Sequence, residues 1–416
     1  AAREVVSAGG PGAAAAVALG FALAVTLPSR AGLGGGGACL VFKAGEGAEA
    51  ISFLPRAPAH PSAGDRPAAL PLLARGLFAL QNKYGNRTFE SLLGPAEAMA
   101  RDGVTAPRAF VRDLAVVAGP LGADPGARAV FFPGGQPVQE GAVLVQPGLA
   151  ATLTQLRQAG VGDLYQGTLA HRLADGARDA GGGLTLADLR GALPSFAPPL
   201  LLPAGNEQVA FLPPPADGGL AAAAALQVLQ RDPSALAAAG DRAVAVAAQF
   251  RRNGGDPKAL LASGALPAAT LPPLAASTTF LTLDRRGNAV ACALTMNNLF
   301  GTGRITAGTG ILLAASPAWQ TPPLLAAAIA SSAGGKPAFR AAVGGSGQAG
   351  APVATALALV EALADSFIPA HPMPKLAPEP GRANVIQCNQ HLPGDPASCA
   401  WATDPRGAGL AVGSAL

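Results

Sequence analysis

The stretch Ser277-Thr-Thr-Phe-Leu-Thr-Leu-Asp-Arg-Arg-Gly-Asn-Ala-Val-Ala-Cys-Ala-Leu-Thr-Met-Asn297 reads as two short strands joined by a turn. Ser277–Leu283 is rich in Thr, Leu and Phe, which suit a pleated, half-buried surface. Asp284-Arg-Arg-Gly-Asn288 carries turn residues, and Ala289–Met296 is a second strand, so local chemistry alone predicts a β-hairpin. Pairing Leu283 with Ala289 sets the register and places Ser277 opposite Thr295; a slip of one residue breaks this pairing. Period-two alternation then puts Ser277, Thr295 and Asn297 on one face and turns Thr278 to the other. Directly opposed residues hold their Cβ atoms about 5 Å apart, within reach of a hydroxyl–hydroxyl hydrogen bond.

On the N-terminal side of the hairpin, residues 265–276 are Ala-Leu-Pro-Ala-Ala-Thr-Leu-Pro-Pro-Leu-Ala-Ala. Proline at this density allows neither a regular helix nor a central strand, so the segment is expected to be exposed and mobile. On the C-terminal side, Arg340–Val343 reads as a strand that ends in Gly344-Gly-Ser-Gly-Gln348 before an Ala-rich helix over 352–364. Strand, glycine turn and helix together present backbone N–H groups to an anion. Earlier in the chain, 13–27 is an Ala/Leu-rich helix stopped by Pro28, followed by the glycine string Gly32–Gly37 and a strand Ala38–Phe42. The string matches G-x-G-x-x-G, but a dinucleotide site needs strand, glycines, helix in that order. Here the order is helix, glycines, strand, and close backbone packing is the better reading. Helices are expected over 69–83, 87–101, 146–159, 164–179, 220–230 and 241–252, with an extended stretch at Ser195–Pro203 and a tight turn at Pro213–Gly219 in which Asp217 is a turn former.

Composition sets the outer bounds. The chain has 416 residues, half of them hydrophobic, with only 13% charged, against about 25% in an ordinary soluble domain. A large core can form, and disorder is excluded because low hydrophobicity and high net charge are both absent. The net charge is +4 and the arginines are scattered, with no basic run interleaved with aromatics, so a nucleic-acid surface is unsupported. The charge-free run Ala13–Leu27 is read as a buried helix; it is short for a bilayer span and lacks the basic flank of a secretory leader. Cys39 and Cys292 sit in apolar runs and are expected as packed thiols. Cys388 and Cys399 lie in a Pro/Gly-rich tail and are spaced for a disulfide. Cys388-Asn-Gln-His391 also has the gap of a zinc half-site, with His371 upstream, but the second pair of a closed site is missing, and no metal or cofactor is expected. No G-x-S-x-G elbow, P-loop or H-E-x-x-H occurs, and His60, His171, His371 and His391 are dispersed.

The hairpin and its continuation through Asn298-Leu-Phe-Gly-Thr-Gly…Gly310-Ile-Leu-Leu313 resemble, without a gap, the start of the small subunit of γ-glutamyltransferases. That family reads T-T-H-x-S-x-x-D-x-x-G-N-A-V, then T-x-N-x-x-F-G-[TS]-G and G-I-L-L. Residues 22–42, 138–167, the P-P-P-x-x-G-G turn and Ala402-Thr-Asp-Pro-Arg-Gly407 resemble further blocks of the family. The resemblance implies an α/β (α+β) fold of four-layer αββα N-terminal-nucleophile hydrolase type. It implies a chain that cuts itself between Ala276 and Ser277 into a large-subunit-like part, 1–276, and a small-subunit-like part, 277–416, which stay together as a heterodimer. It also implies periplasmic or secreted residence.

Carried over residue by residue, Ser277 takes the place of the family's threonine nucleophile. Its freed α-amine, with a reference pKa of about 7.7–8.0, is the general base, which explains why no catalytic histidine is needed. Thr295 matches the second threonine, which hydrogen-bonds the nucleophile. Asn297 matches a substrate-binding asparagine. The oxyanion-hole pair falls on Gly347 and Gln348, where backbone N–H groups do the work. The family's acidic residue after G-I-L-L, which holds the glutamyl amino group, has no counterpart in Ala314–Gln320, and Ser316 of that stretch is counted as a candidate substrate-binding residue. The family's paired serines correspond to Leu325 and Ala326, and its carboxylate-binding arginine has no match beyond the neighbouring Arg56. The expected substrates are therefore γ-glutamyl, glutathione-like amides or related amides with a less zwitterionic acyl group. The alternative is an uncut, inactive member that serves as a binding protein.

Overall fold

The structure is a computed structural model that describes residues 1–60, 64–364 and 375–413. Along the chain the strands are β1 (Gly36–Lys43), β2 (Gly47–Phe53), β3 (Val104–Thr105), β4 (Val143–Leu144), β5 (Ser195–Ala197), β6 (Leu200–Ala204), β7 (Glu207–Phe211), β8 (Ser277–Leu283), β9 (Ala289–Thr295), β10 (Ala326–Ser332), β11 (Phe339–Ser346), β12 (Arg382–Leu392) and β13 (Cys399–Thr403). One antiparallel sheet runs β5-β2-β1-β9-β8 and a second runs β13-β12-β11-β10-β7-β6, while β3 and β4 form a separate small ladder.

The two large sheets face each other through a mostly small-residue core: Ala38, Leu40 and Phe42 from β1, Ala289, Ala291 and Ala293 from β9, and Ala327, Ile329, Phe339 and Ala342 from the second sheet. The alternate residues of β9, Val290, Cys292 and Leu294, face outward into a helical layer that includes Gly12–Thr26, Leu73–Tyr84 and Phe89–Asp102. The second sheet is covered on its outer face by Gly218–Leu229, Leu236–Asn253 and Ala351–Leu363. The order is helix, sheet, sheet, helix, the αββα arrangement expected. Helix Gly12–Thr26 is apolar almost all round, as a helix buried in a layer must be.

The hairpin has the expected register: Ser277 opposes Thr295, and Leu283 opposes Ala289. Its turn is built by Asp284, whose Oδ1 accepts from the N–H groups of Arg286 (2.9 Å) and Asn288 (3.0 Å). The same carboxylate accepts from Gly12 N–H (3.1 Å), so one turn residue also caps the buried helix, where a negative charge meets the positive end of the helix dipole. The glycine string acts in packing as expected: a Cβ on Gly37 would collide with the Ala293 carbonyl oxygen of β9.

Two expectations change. Cys39 and Cys292 are not packed thiols but a disulfide, because β1 pairs with β9 in a register that sets them directly opposite, Cα atoms 4.0 Å apart. Cys388 and Cys399 are bridged as their spacing allowed, across β12 and β13. The segment before the hairpin is also only partly as expected. It has no regular structure and is largely exposed over 264–273, but Leu274 and Ala275 are buried. Leu274 packs into the second helical layer, and Ala275 N–H donates to Thr321 O (3.2 Å), because the chain passes inward here to start β8, the edge strand of the first sheet.

Candidate active site

Ser277 opens β8, and its side chain lies on the inter-sheet side of the hairpin, the side that also carries Thr279, Leu281 and the alanines of β9. Close approach of the two sheets here depends on Gly344 of β11, where an added Cβ would lie 2.7 Å from the Thr279 side chain. Ser277 is 1% exposed, and its hydroxyl has no hydrogen-bond partner among the described residues. A buried hydroxyl without a partner carries a free-energy cost of about 1–3 kcal/mol, so its presence calls for a functional reason.

Thr295 is fully buried across the hairpin. Its hydroxyl does not bond the Ser277 hydroxyl, as the resemblance implied, but donates to the carbonyl oxygen of Ala276 (2.8 Å). With the chain continuous through Ala276–Ser277, that carbonyl is the acceptor in reach, and the single hydroxyl proton is spent on it. Asn297 N–H donates to Thr295 Oγ1 (2.9 Å) and fixes the rotor. Asn297 itself has φ of 54°, in the left-handed region where asparagine is tolerated, and its amide donates to Pro55 O (2.8 Å). Its donor therefore orients the loop after β2 in this state of the chain.

Gly347 and Gln348 form the turn between β11 and the helix Ala351–Leu363, both with left-handed φ, 105° and 52°. Gln348 Nε2 donates to Leu274 O (3.1 Å), which brings this turn against the segment leading to Ser277. Gln320 Nε2 adds a longer contact to Pro273 O (3.4 Å). The four residues before Ser277 are thus held at each step: Pro273 by Gln320, Leu274 by Gln348, Ala275 by Thr321 and Ala276 by Thr295.

Ser316 is buried, its N–H donating to Pro67 O (2.9 Å) and its hydroxyl oxygen accepting from Ala318 N–H (3.3 Å), so it shapes the loop 316–322. Along that loop lies an open cleft of about 550 Å³ whose lining includes Phe250, Pro317 and the largely exposed Trp319. Its charged side chains, Asp217 and Arg251, form a two-pronged ion pair (2.5 and 2.9 Å), and Arg251 also donates to Pro322 O (3.1 Å). Asp217 is more than the expected turn former: it begins the helix Gly218–Leu229 and anchors the arginine that holds the loop. Arg56 donates to the carbonyls of Gly191 and Leu193 (3.3 Å each).

Sequence reasoning missed Arg30 and Asp113. Arg30 Nη1 donates to Ser277 O (3.2 Å), while its Nε and Nη2 clasp Asp113 (2.7 and 2.6 Å). Burial works against the guanidinium charge, but the Asp113 hydrogen bonds and charge outweigh it and hold the group above its ordinary pKa. No local signal pairs residues so far apart in sequence. The zinc half-site does not form: Cys388 is in a disulfide, and His391 Nε2 meets Glu207 (2.9 Å). His371 lies outside the described residues. Among the described residues no helix is long and apolar enough to cross a membrane.

Comparison with known proteins bears on the family and the fold. The gamma-glutamyltranspeptidase family model matches residues 1–252, more than half the chain and short of Ser277. The glutathione hydrolase proenzyme of Escherichia coli (strain K12) is 28% identical over 364 residues, covering 74% of this chain and 63% of that protein. An acylase proenzyme of Pseudomonas sp. (strain V22) is also 28% identical over 364 residues, with 74% and 65% covered. The chain thus spans under two-thirds of the length of these relatives. Among solved structures, a cephalosporin acylase from Bacillus halodurans superposes with a TM-score of 0.79 over 98% of this chain and 92% of its own, at 18% identity. The gamma-glutamyltranspeptidase of Helicobacter pylori superposes with a TM-score of 0.56 at 25% identity, over 62% of this chain and 81% of its own.

Proposed function

The chain belongs to the gamma-glutamyltranspeptidase family, and we propose that it is a self-processing amidohydrolase or acyltransferase whose nucleophile is Ser277. The observation that carries this reading is the pairing of a buried, unpartnered Ser277 hydroxyl with a Thr295 hydroxyl already donating to the carbonyl of the preceding residue. In the first step Ser277 Oγ adds to the Ala276 carbonyl carbon. Charge develops on the oxygen that Thr295 already holds, which is where a fixed donor stabilises the transition state. The C–N bond breaks, the hydroxyl proton passes to the departing nitrogen, and water then hydrolyses the ester. The products are an Ala276 carboxylate and a Ser277 with a free α-amine.

In the cut protein the freed amine takes the hydroxyl proton as Ser277 attacks an amide substrate, and an acyl-enzyme forms. Backbone N–H groups of Gly347 and Gln348 serve the oxyanion, and Thr295, relieved of Ala276, is free to turn to the nucleophile. The substrate is a γ-glutamyl amide or a related acyl amide. The less zwitterionic class is favoured, since the stretch Ala314–Gln320 offers no acidic side chain to hold an amino group and Arg56 is bound to backbone carbonyls. Cleavage of γ-glutamyl anilide and of uncharged acyl anilides by the purified protein separates the two. The expected result is at least about tenfold higher kcat/KM for an uncharged acyl group, the worth of one binding interaction of about 1.4 kcal/mol.

The Cys39–Cys292 bridge makes a further prediction. It joins the parts on either side of Ala276–Ser277. The cut protein therefore runs as one band on a denaturing gel without reductant and as two bands with it. Two bands without reductant would show that the bridge does not form. An oxidising compartment, periplasmic or extracellular, suits a chain in which both cysteine pairs are bridged.

A further inference from the structure

We infer that Arg30, braced by Asp113, is a positioning residue that holds Ser277 by its carbonyl oxygen and keeps the nucleophile aimed once the peptide bond before it is gone. The inference rests on the reading of Ser277 as an N-terminal nucleophile. It starts from the parity of the hairpin. The bond from Asp284 N–H to Asn288 O (3.0 Å) marks 284 and 288 as a hydrogen-bonded pair. Hydrogen-bonded and non-hydrogen-bonded pairs alternate along an antiparallel ladder, so Ser277 and Thr295 are a non-hydrogen-bonded pair. The backbone N–H and C=O of Ser277 therefore project away from β9.

On that side there is no further strand among the described residues, since β8 is the edge of its sheet. Side chains from other elements meet the outward carbonyls instead. Asn384 Nδ2 donates to Thr279 O (3.2 Å), and Arg30 Nη1 donates to Ser277 O (3.2 Å). The first stays with the body of the strand, and the second acts at its very end. Parity also leaves the Ser277 nitrogen outside the ladder, which a general base requires. The same parity leaves Ser277 with no ladder bond to β9, and a strand end of that kind frays when its covalent neighbour is removed.

Arg30 is well placed to prevent this. It lies on the short helix Pro28–Ala31, and the helix Arg108–Gly122 supplies Asp113. Two guanidinium nitrogens are fixed on the two carboxylate oxygens, and Ser29 Oγ donates to the same carboxylate (2.7 Å). The fork geometry of arginine leaves the remaining nitrogen directed at Ser277 O, a task a lysine performs less well. A group held in this way acts on orientation of the nucleophile, and its loss is read in kcat more than in KM.

The test uses the full chain. In the Arg30→Met/Asp113→Asn double variant no buried carboxylate is left unpaired, and Arg30→Lys retains the positive charge facing Asp113 as a second, milder variant. Turnover of an acyl anilide is measured per cut chain, so that slower processing does not enter. The expected result for the double variant is a kcat lower by about 10- to 100-fold with KM within about twofold, as follows from losing a hydrogen bond to a charged donor. Arg30→Lys is expected to fall between this and the wild type, and millimolar guanidinium is expected to raise kcat of the double variant. A folded variant with unchanged kcat, or a loss confined to KM, overturns the inference. A wild-type chain that stays uncut and inactive overturns instead the reading of Ser277 on which it rests.

Discussion

Ser277→Ala is expected to leave the chain uncut and to lower amide turnover by about 10⁴-fold or more, the scale seen when a covalent nucleophile is deleted. Two things fail together in this variant. The oxygen that attacks Ala276 is absent, so no free amine is made, and the oxygen that attacks substrate is absent as well. Packing changes little, because the hydroxyl has no hydrogen-bond partner among the described residues to lose. Thermal stability of the variant should therefore be equal to or above that of the uncut wild-type chain, a direction opposite to that for most buried polar substitutions. Ser277→Thr and Ser277→Cys keep a nucleophile and should restore cutting in part. A Ser277→Ala chain that is still cut at this peptide bond would remove Ser277 from the mechanism.

Thr295→Val is expected to slow cutting by about 10²- to 10³-fold, as found when one donor to a developing oxyanion is removed. Valine matches threonine in shape, so the buried site stays filled. The variant removes the donor to Ala276 O and strands the Asn297 N–H, which now donates to Thr295 Oγ1. Stranding costs about 1–3 kcal/mol of stability, and Thr295→Ser separates this from the loss of rate. Serine restores donor and acceptor, so cutting should return to within about tenfold of the wild type if the hydroxyl is what matters. The rate is read from the decay of purified uncut chain on a reducing gel. An unchanged rate in Thr295→Val would show that the bond to Ala276 O is only structural.

Local chemistry made the hairpin legible. Its turn residues, its alternation and its short closure all lie within twenty-one residues, from Ser277 to Asn297, and the pairing of Ser277 with Thr295 follows from counting. The strand, the turn at Gly347–Gln348 and the helix that follows were legible for the same reason, although the strand runs through Ser346 and takes in Gly344 and Gly345, which were read as turn. The αββα fold came through resemblance, because which sheet stacks on which depends on contacts that no short window contains.

What escaped was non-local. The Cys39–Cys292 bridge needs the pairing of β1 with β9, and neither strand carries a mark of its partner. Arg30 and Asp113 are 83 residues apart, and Arg30 meets Ser277 across 247 residues of chain. The direction of the Thr295 hydroxyl also escaped, because it follows from where the Ala276 carbonyl lies rather than from any side-chain pattern. The burial of Leu274 and Ala275 was hidden by proline-rich composition, which predicts irregular backbone correctly but says little about exposure. The low charge of the chain, by contrast, was informative for substrate: the stretch Ala314–Gln320 holds no acidic side chain.

The most direct test of the account is N-terminal sequencing of the smaller fragment of the purified protein after reduction. The expected fragment begins Ser-Thr-Thr-Phe-Leu and is released from its partner only when the Cys39–Cys292 bridge is reduced. A chain that remains whole after reduction and long incubation, or a cut at any other peptide bond, would contradict it.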